Sequence, residues 1–214
     1  MRIVCISDTH NCNEQVAVPD GDLLIHSGDA TITGTLHEIK LFNRWFAELP
    51  HPLKIFVAGN HDTLFEQRPD EAQALLDIGV IYLQDSAVEL DGLKIYGSPW
   101  QPRFYDWAFN LMRGAELAEK WAMIPDDVDI LITHGPPNGI LDLVPRQGWD
   151  EKTGCEELRK RVEDIAEFGR LKLHVFGHIH CGYGVHEEFG VTFVNASICD
   201  EDYRPSNKPI VIDI

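Results

Sequence analysis

The sequence of 214 residues predicts an α/β protein in which two β-sheets pack together and helices cover the outer faces. In the first half of the chain, short apolar runs typical of buried strands alternate with segments that repeat apolar residues at helical spacing. In the second half, several strand-like runs follow one another closely, which favours a second sheet. The length fits a single domain spanning residues 1–214, large enough to bury a substantial core.

The first half of the chain predicts a regular alternation of strands and helices. Strands are expected at Ile3–Ile6, Leu23–His26 and Leu53–Ala58. Between the last two strands, apolar residues recur at three- and four-residue steps from Leu36 to Leu49, which predicts an amphipathic helix. A second helix is predicted at Pro69–Ile78, because proline favours a helix start and Gly79 follows its end.

The second half predicts mostly strands, two helices and two long loops. The helices are Gly114–Met123 and Cys155–Phe168, and a hairpin turn is predicted at Asp91-Gly92. The strands are Val80–Leu83, Ala87–Leu90, Leu93–Tyr96, Asp129–Thr133, Leu171–Phe176, Gly184–Glu187, Val191–Asn195 and Pro209–Ile212. The segments Pro99–Arg113 and Pro136–Lys152 are expected to be irregular, and loops of that length tend to be functional.

The net charge of −17 limits the classes of partner. Proteins that bind nucleic acid polymers or anionic membranes use Lys and Arg to neutralise phosphates, so we expect neither kind of partner here. A small phosphorylated substrate stays compatible with this charge, because bound divalent ions would reverse the local potential.

The cysteine pattern and the apolar runs predict a cytoplasmic protein. Five cysteines are an odd number without CxxC spacing, which is typical of free thiols in a reducing compartment. The first apolar run, Ile3–Ile6, is too short for the core of a signal peptide. No run approaches the roughly 20 apolar residues of a membrane span.

Five short motifs place Asp, Asn or His directly after a predicted strand. They are Asp8-Thr9-His10, Gly28-Asp29, Gly59-Asn60-His61-Asp62, His134-Gly135 and Gly177-His178-Ile179-His180. Ligand sites in such sheets lie beyond the carboxyl ends of the strands, so we expect the motifs to converge. Carboxylate and amide oxygens bind hard divalent ions, and the imidazoles favour Fe, Mn, Zn or Ni over Mg. The set predicts a hydrolytic site for two metal ions, with phosphate esters as the favoured substrates.

The order D-x-H, GD, GNHD, H and GHxH resembles the calcineurin-like metallophosphoesterases, over the span from Asp8 to His180. Further segments resemble the metallophosphoesterase-domain branch of that superfamily, which is similar to class III phosphodiesterases: Trp107–Asn110, Thr133–Pro137, Asn195–Cys199, Tyr203–Pro205 and Pro209–Val211. The resemblance implies a four-layer α-β-β-α sandwich of two mixed sheets. It also implies phosphodiesterase activity with a pair of Mn or Fe ions, with Co, Ni, Zn and Mg as alternatives.

The resemblance further implies seven metal ligands, which leaves one motif histidine, His61, unassigned to a metal. One ion would be held by Asp8, His10, Asp29 and His180, and the other by Asp29, Asn60, His134 and His178. His61 is then expected to protonate the leaving oxygen or to stabilise charge on the phosphoryl group. Asp62 is expected to orient His61.

Substrate contacts are expected from Asn60 and His61, and from Asn110 and Arg113 at the end of an aromatic run. Aromatic rings beside an arginine suit a nucleotide base and its phosphate, but such a segment also serves as a packed lid. Cys181, next to the last motif, is not expected to be a ligand, and its sensitivity to oxidation is left open.

The histidines outside the motifs are expected to be structural. His26 and His174 fall inside strands and are predicted to be hydrogen-bonded core residues. His37, His51 and His186 are predicted at the surface.

The favoured function is hydrolysis of small phosphodiesters, with cyclic nucleotides as one candidate. The alternatives are a phosphomonoesterase and a nucleotide-binding protein with weak residual activity. Protein phosphatases of this superfamily extend GD into GDxxDRG, whereas Gly28-Asp29 continues with Ala-Thr-Ile-Thr, which disfavours that branch. The expected partner is a small phosphodiester or nucleotide, and the expected assembly is a monomer or small homo-oligomer.

Overall fold

The computed structural model describes residues 1–214, which form fifteen strands and five α-helices. The strands β1 to β15 are Arg2–Ile6, Leu23–His26, Leu53–Phe56, Val80–Tyr82, Ser86–Leu90, Leu93–Ser98, Gln101–Pro102, Asn110–Leu111, Ile130–Thr133, Leu143–Arg146, Trp149–Lys152, Leu173–Phe176, Gly184–Glu188, Val191–Asn195 and Ile210–Asp213. The helices α1 to α5 are Leu36–Glu48, Thr63–Gln67, Pro69–Gln73, Ala115–Trp121 and Glu156–Glu167. None of the helices has the length and apolar character needed to cross a bilayer.

Both large sheets are mixed. The first has the order β15-β1-β2-β3-β4, in which β1 to β4 run parallel and β15 pairs antiparallel with β1. The second has the order β13-β14-β12-β9-β6-β5, in which the inner four strands are parallel and the two edge strands are antiparallel. Ile6 pairs with His26 and His26 with Phe56, so β1, β2 and β3 end level with one another.

Three apolar layers separate the sheets and helices. Alternate residues of each strand face opposite sides, so Ile25 and Val57 pack against Ile132 and Val175 between the sheets. On the outer face of the first sheet, Phe56 packs with residues of α1 and α2. On the outer face of the second sheet, Phe176 and Phe193 pack with residues of α4 and α5. The predicted four-layer α-β-β-α sandwich is thereby confirmed.

The structure differs from the predicted elements in four places. The segment Pro99–Arg113, expected to be irregular, contains the short parallel pair β7–β8. The segment Pro136–Lys152, also expected to be irregular, contains the hairpin β10–β11. The helix predicted at Pro69–Ile78 stops at Gln73, because Leu75 and Leu76 donate to carbonyls three residues back, as in turns. Helix α2 was not predicted, since five residues are too few to show a helical apolar repeat.

Candidate metal centre

The motif residues sit on sharp turns at the strand ends. Asp8, His10, Asp29 and His178 all have positive φ, at 51°, 41°, 54° and 67°. This backbone conformation is unfavourable for residues other than glycine, so the surrounding hydrogen bonds must stabilise it. Asp8 N donates to the Gly28 carbonyl at 2.8 Å, and His10 N donates to the Asp29 carbonyl at 3.1 Å. Hydrogen bonds between the first two motifs therefore stabilise both turns. Strained backbone of this kind clusters at functional sites.

All seven predicted ligands come together at the carboxyl ends of the strands. Asp8, His10 and His180 form one group, and Asp29, His134 and His178 form another, with His178 and His180 half-buried and the rest buried. His10 and Asp29 also form a third buried group with His61. Asp8 Oδ1 lies 3.4 Å from His180 Nε2, and Asp29 Oδ2 lies 3.4 Å from His134 Nε2. Asn60 Oδ1 lies 2.9 Å from the same His134 nitrogen.

Backbone carbonyls fix the orientation of three of these imidazoles. The Nδ1 atoms of His10, His134 and His180 lie 3.2, 3.0 and 2.8 Å from the carbonyls of Thr31, Ser27 and Asp200. Each ring that donates its Nδ1 proton keeps an Nε2 lone pair facing the carboxylates, and metal-bound histidines are held in this way. Two carboxylates, an amide oxygen and oriented imidazoles fit a pair of divalent ions.

Two glycines make room for the carboxylates. A Cβ built on Gly177 would collide with Asp8 Oδ2 and with the Ser7 side chain. A Cβ built on Gly59 would collide with Asp29 Oδ1. The glycines of GHxH and GNHD are therefore required by the close approach of the backbone to these oxygens.

The two carboxylates create buried negative charge. Burial opposes protonation of His134, but Asp29 outweighs it and raises the pKa of His134 to about 9. Asp8 has the same effect on His180, whose pKa also rises to about 9 despite burial. The pKa of Asp29 falls well below its usual range, since the neighbouring histidines outweigh its burial. A bound cation would take the place of these protons.

Comparison with known sequences agrees with this geometry. The sequence model of the calcineurin-like phosphoesterase family matches residues 1–182. The chain belongs to this family. Human metallophosphoesterase domain-containing protein 1 is 48% identical over 236 residues, covering 100% of this chain and 71% of the human protein. UPF0046 protein K07C11.7 of Caenorhabditis elegans is 39% identical over 227 residues, covering 100% of this chain and 75% of the worm protein.

Membership of the calcineurin-like phosphoesterase family makes the protein a metal-dependent phosphoester hydrolase. The family uses a dinuclear metal centre, and the two Asp and His groups at the strand ends are suited to hold it.

His61 lies beside this phosphoesterase centre. Its Nε2 lies 4.0 Å from Asp29 Oδ2, and its Nδ1 lies 2.6 Å from the Ile32 carbonyl. Its backbone N–H donates to Asp29 Oδ1 at 2.8 Å. The ring is mostly buried but lines the cleft above the ligands, so it can reach a bound substrate.

The structure corrects the expectation that Asp62 orients the His61 ring. The buried Asp62 carboxylate accepts from the N–H groups of Gly59 at 2.8 Å and Thr31 at 3.0 Å. It also accepts from the Thr31 hydroxyl at 2.8 Å. Burial and the nearby Asp29 raise the pKa of Asp62 to about 6. Asp62 therefore joins the GD and GNHD loops, because backbone N–H groups and the Thr31 hydroxyl occupy its carboxylate, while the Ile32 carbonyl holds the imidazole.

The two predicted substrate contacts of the aromatic loop lie in different places. A cleft of about 520 Å³ extends from the metal centre and includes Arg113. The Arg113 guanidinium donates to the carbonyls of Thr153 and Gly154 at 2.8 Å and pairs with Glu156, so it ties two loops together. Asn110 is outside this cleft, because its amide donates to the Phe104 and Tyr105 carbonyls at 3.1 Å.

Three side chains that were not among the predicted site residues contact the metal ligands or the GHxH loop. Tyr203 packs against His10 and His180, with ring centroids 4.7 and 5.4 Å apart. Ser197 Oγ donates to Asp8 Oδ2 at 2.9 Å, and Asn195 Nδ2 donates to the Ile179 carbonyl at 2.8 Å. All three belong to segments that the sequence marks only as similar to the metallophosphoesterase-domain branch. That resemblance was the signal that could have identified them as site residues.

Most predictions for the histidines outside the motifs agree with the structure. His26 and His174 are buried and lie 2.9 and 2.8 Å from threonine hydroxyls, which confirms the prediction. The surface prediction holds for His37 and His186 but is wrong for His51, whose ring is buried against the Pro19 carbonyl at 2.9 Å. The Cys181 thiol lies at the cleft with the Leu143 carbonyl as its partner at 3.1 Å, and burial raises its pKa.

Proposed function

We propose that this phosphoesterase is a phosphodiesterase for small diesters, using a pair of Mn or Fe ions. The observation that carries the proposal is the cleft beside the ligands, which has about 520 Å³ and reaches from Asn60 and His61 to Phe104 and Tyr105. Volumes in this range hold ligands the size of a nucleotide.

The cleft supports a diester over a monoester because a diester carries two organic groups. One side is lined by the aromatic rings of Phe104 and Tyr105, and Tyr203 lies near the metal ligands. Phe104 and Tyr105 are 46% and 75% exposed, so their surfaces are free to contact an aromatic group of the substrate. Nucleotide diesters, including cyclic nucleotides, combine such a group with the scissile phosphate.

The mechanism assigns proton donation to His61. When bound, two divalent ions would supply an activated water and neutralise the charge of the phosphoryl group. Asp8, Asp29 and the oriented imidazoles would hold the ions, while Asn60 places its amide oxygen beside His134 Nε2. His61 faces the cleft through Nε2, because its Nδ1 is held by the Ile32 carbonyl. With Nδ1–H on the Ile32 carbonyl, His61 would act as an imidazolium that gives its Nε2 proton to a leaving alkoxide and remains as the neutral ring.

The proposal is tested by turnover of matched chromogenic substrates after loading with Mn, Fe, Co, Ni, Zn or Mg. We expect bis(nitrophenyl) phosphate to be hydrolysed with a higher kcat/KM than nitrophenyl phosphate. A preference for the monoester would favour the phosphomonoesterase. Nucleotide binding without hydrolysis of either ester, with every metal loaded, would favour the binding protein. A screen of cyclic nucleotides would then define the natural diester.

The role of His61 is tested by His61→Ala. We expect a loss of about 10²–10⁴-fold in kcat on diesters with a poor leaving group, with both metal ions retained. His37→Ala, at an exposed position of α1, is the matched control and should keep wild-type activity. Metal analysis that finds a single ion in His61→Ala would contradict the assignment, because His61 would then be a ligand.

A further inference from the structure

We propose that Trp107 is a positioning residue that fixes the imidazole of His61 for proton transfer. The inference deepens the proposed function and rests on the role assigned there to His61. Trp107 carries no metal-ligating atom and does not line the cleft, so its effect would pass through His61.

The two rings pack closely against each other at a tilt. The ring centroids of His61 and Trp107 lie 4.2 Å apart with an interplanar angle of 31°. The edge of His10 meets the His61 ring at 4.8 Å and 79°. Tyr203 also meets the His61 ring in an edge contact, at 6.1 Å and 66°. With Nδ1 held 2.6 Å from the Ile32 carbonyl, the imidazole is confined by one hydrogen bond, two edge contacts and one covering ring face. Trp107 is the element of this cage that covers the face of the ring.

Trp107 is itself anchored to the loop that carries His61. The next residue, Ala108, donates its N–H to the Asn60 carbonyl at 3.2 Å. Phe109 donates its N–H to Glu66 Oε1 at 3.0 Å, and its buried ring packs on Trp100. The indole is therefore held in register with the GNHD loop, as a positioning residue requires.

The consequence for catalysis follows from the geometry of proton transfer. An acid must hold its proton within hydrogen-bond reach of the leaving oxygen, and small misplacements are costly. Without the indole, the imidazole would swing about its side-chain bonds into the space that Trp107 fills. Nε2 would then face the leaving group for a smaller fraction of the time, while metal binding would be unaffected.

The test compares Trp107→Ala and Trp107→Phe on two diesters that differ in the leaving group. Nitrophenolate leaves readily without a proton, whereas a simple alkoxide needs one. We expect Trp107→Ala to lower kcat for the alkyl diester by about tenfold or more, part of the about 10²–10⁴-fold that acid catalysis contributes. The nitrophenyl diester and both KM values should change little. Trp107→Phe restores a flat ring and should recover most of the lost rate.

Controls separate positioning from folding. Met112→Ala changes an exposed side chain outside the cleft and should behave as wild type on both diesters. Metal content measured for each variant reports whether the site is still formed. Equal losses by Trp107→Ala on both diesters would overturn the inference, because a general structural defect does not depend on the leaving group.

The double variant His61→Ala/Trp107→Ala gives an independent readout. If Trp107 acts through His61, the double variant should match His61→Ala alone, and additive losses would overturn the inference. Failure of the proposed function is a different result, since wild-type protein would then hydrolyse neither diester. If wild type is active and His61→Ala shows the leaving-group effect while Trp107→Ala does not, only the inference about Trp107 fails.

Discussion

Replacing His174 by glutamine should make the stability of the protein less sensitive to acid. His174 is fully buried in β12, and Thr133 Oγ1 lies 2.8 Å from its Nε2. The Thr133 hydroxyl donates to the Gly135 carbonyl at 2.7 Å, so the imidazole donates to Thr133 and its Nδ1 has no partner. Burial lowers the pKa of His174 to about 3, from an ordinary value of 6.5.

The sign and size of the effect follow from this pKa difference. As pH falls below about 6.5, the unfolded chain binds a proton at this imidazole and the folded protein does not. The unfolded state is stabilised through that window, so the free energy of unfolding decreases until the pH reaches the folded pKa of about 3. Between about pH 6 and about pH 4, this single group removes about 2.5 kcal/mol. That is a large share of the about 5–15 kcal/mol typical of a folded domain.

Urea unfolding of the metal-free protein at several pH values measures the effect. Wild type should lose about 2.5 kcal/mol more than His174→Gln between about pH 6 and about pH 4. Other histidines titrate equally in both proteins, so their contributions cancel in the comparison. His37→Gln, at an exposed position, should keep the wild-type pH dependence. Identical slopes in wild type and His174→Gln would refute the reasoning, since His174 would then take up its proton without unfolding.

Two further substitutions test the support of the metal centre. Ser197→Ala removes the hydroxyl that donates to Asp8 Oδ2, and we expect metal affinity to fall about 10- to 100-fold in competition with a chromogenic chelator; unchanged affinity would contradict this. Gly177→Ala places a methyl group against the Asp8 carboxylate and should lower both metal content and Tm. Gly79→Ala, whose added Cβ meets only Asp77 Oδ1 at 3.2 Å, is the control that should retain full metal content.

The metal ligands could be predicted from sequence because each depends on its own strand. Asp8, Asn60 and His134 directly follow apolar runs, and neighbouring parallel strands bring such residues to one edge of a sheet. Contacts between distant segments could not be predicted in the same way. The contact of Trp107 with His61 depends on the path of a loop between β7 and β8, which no local repeat encodes.

The hairpin β10–β11 is a part of the fold that could not be predicted from local sequence patterns either. Its residues are mostly exposed and include Pro145, so the apolar alternation that marks a half-buried strand is weak. Pairing is supported by the turn at Gly148, with φ of 86°, and by the ion pair of Arg146 with Glu151 at 2.7 Å. The surface prediction for His51 is wrong for a related reason. Its buried ring contacts the carbonyl of the distant Pro19, and no helical or strand pattern encodes that contact.

The arrangement of charge around the cleft indicates what attracts an anionic substrate to a protein of net charge −17. Three arginines line the cleft, but each already has an acidic partner: Arg103 with Asp106, Arg113 with Glu156 and Arg146 with Glu151. Guanidiniums engaged in this way add little to the local potential. Lys152 adds one ammonium to the cleft, and the ions that Asp8, Asp29 and the histidines are suited to hold would add the larger positive charge that attracts a phosphate ester. Because those ions would also activate the nucleophile, substrate capture and chemistry depend on the same buried carboxylates.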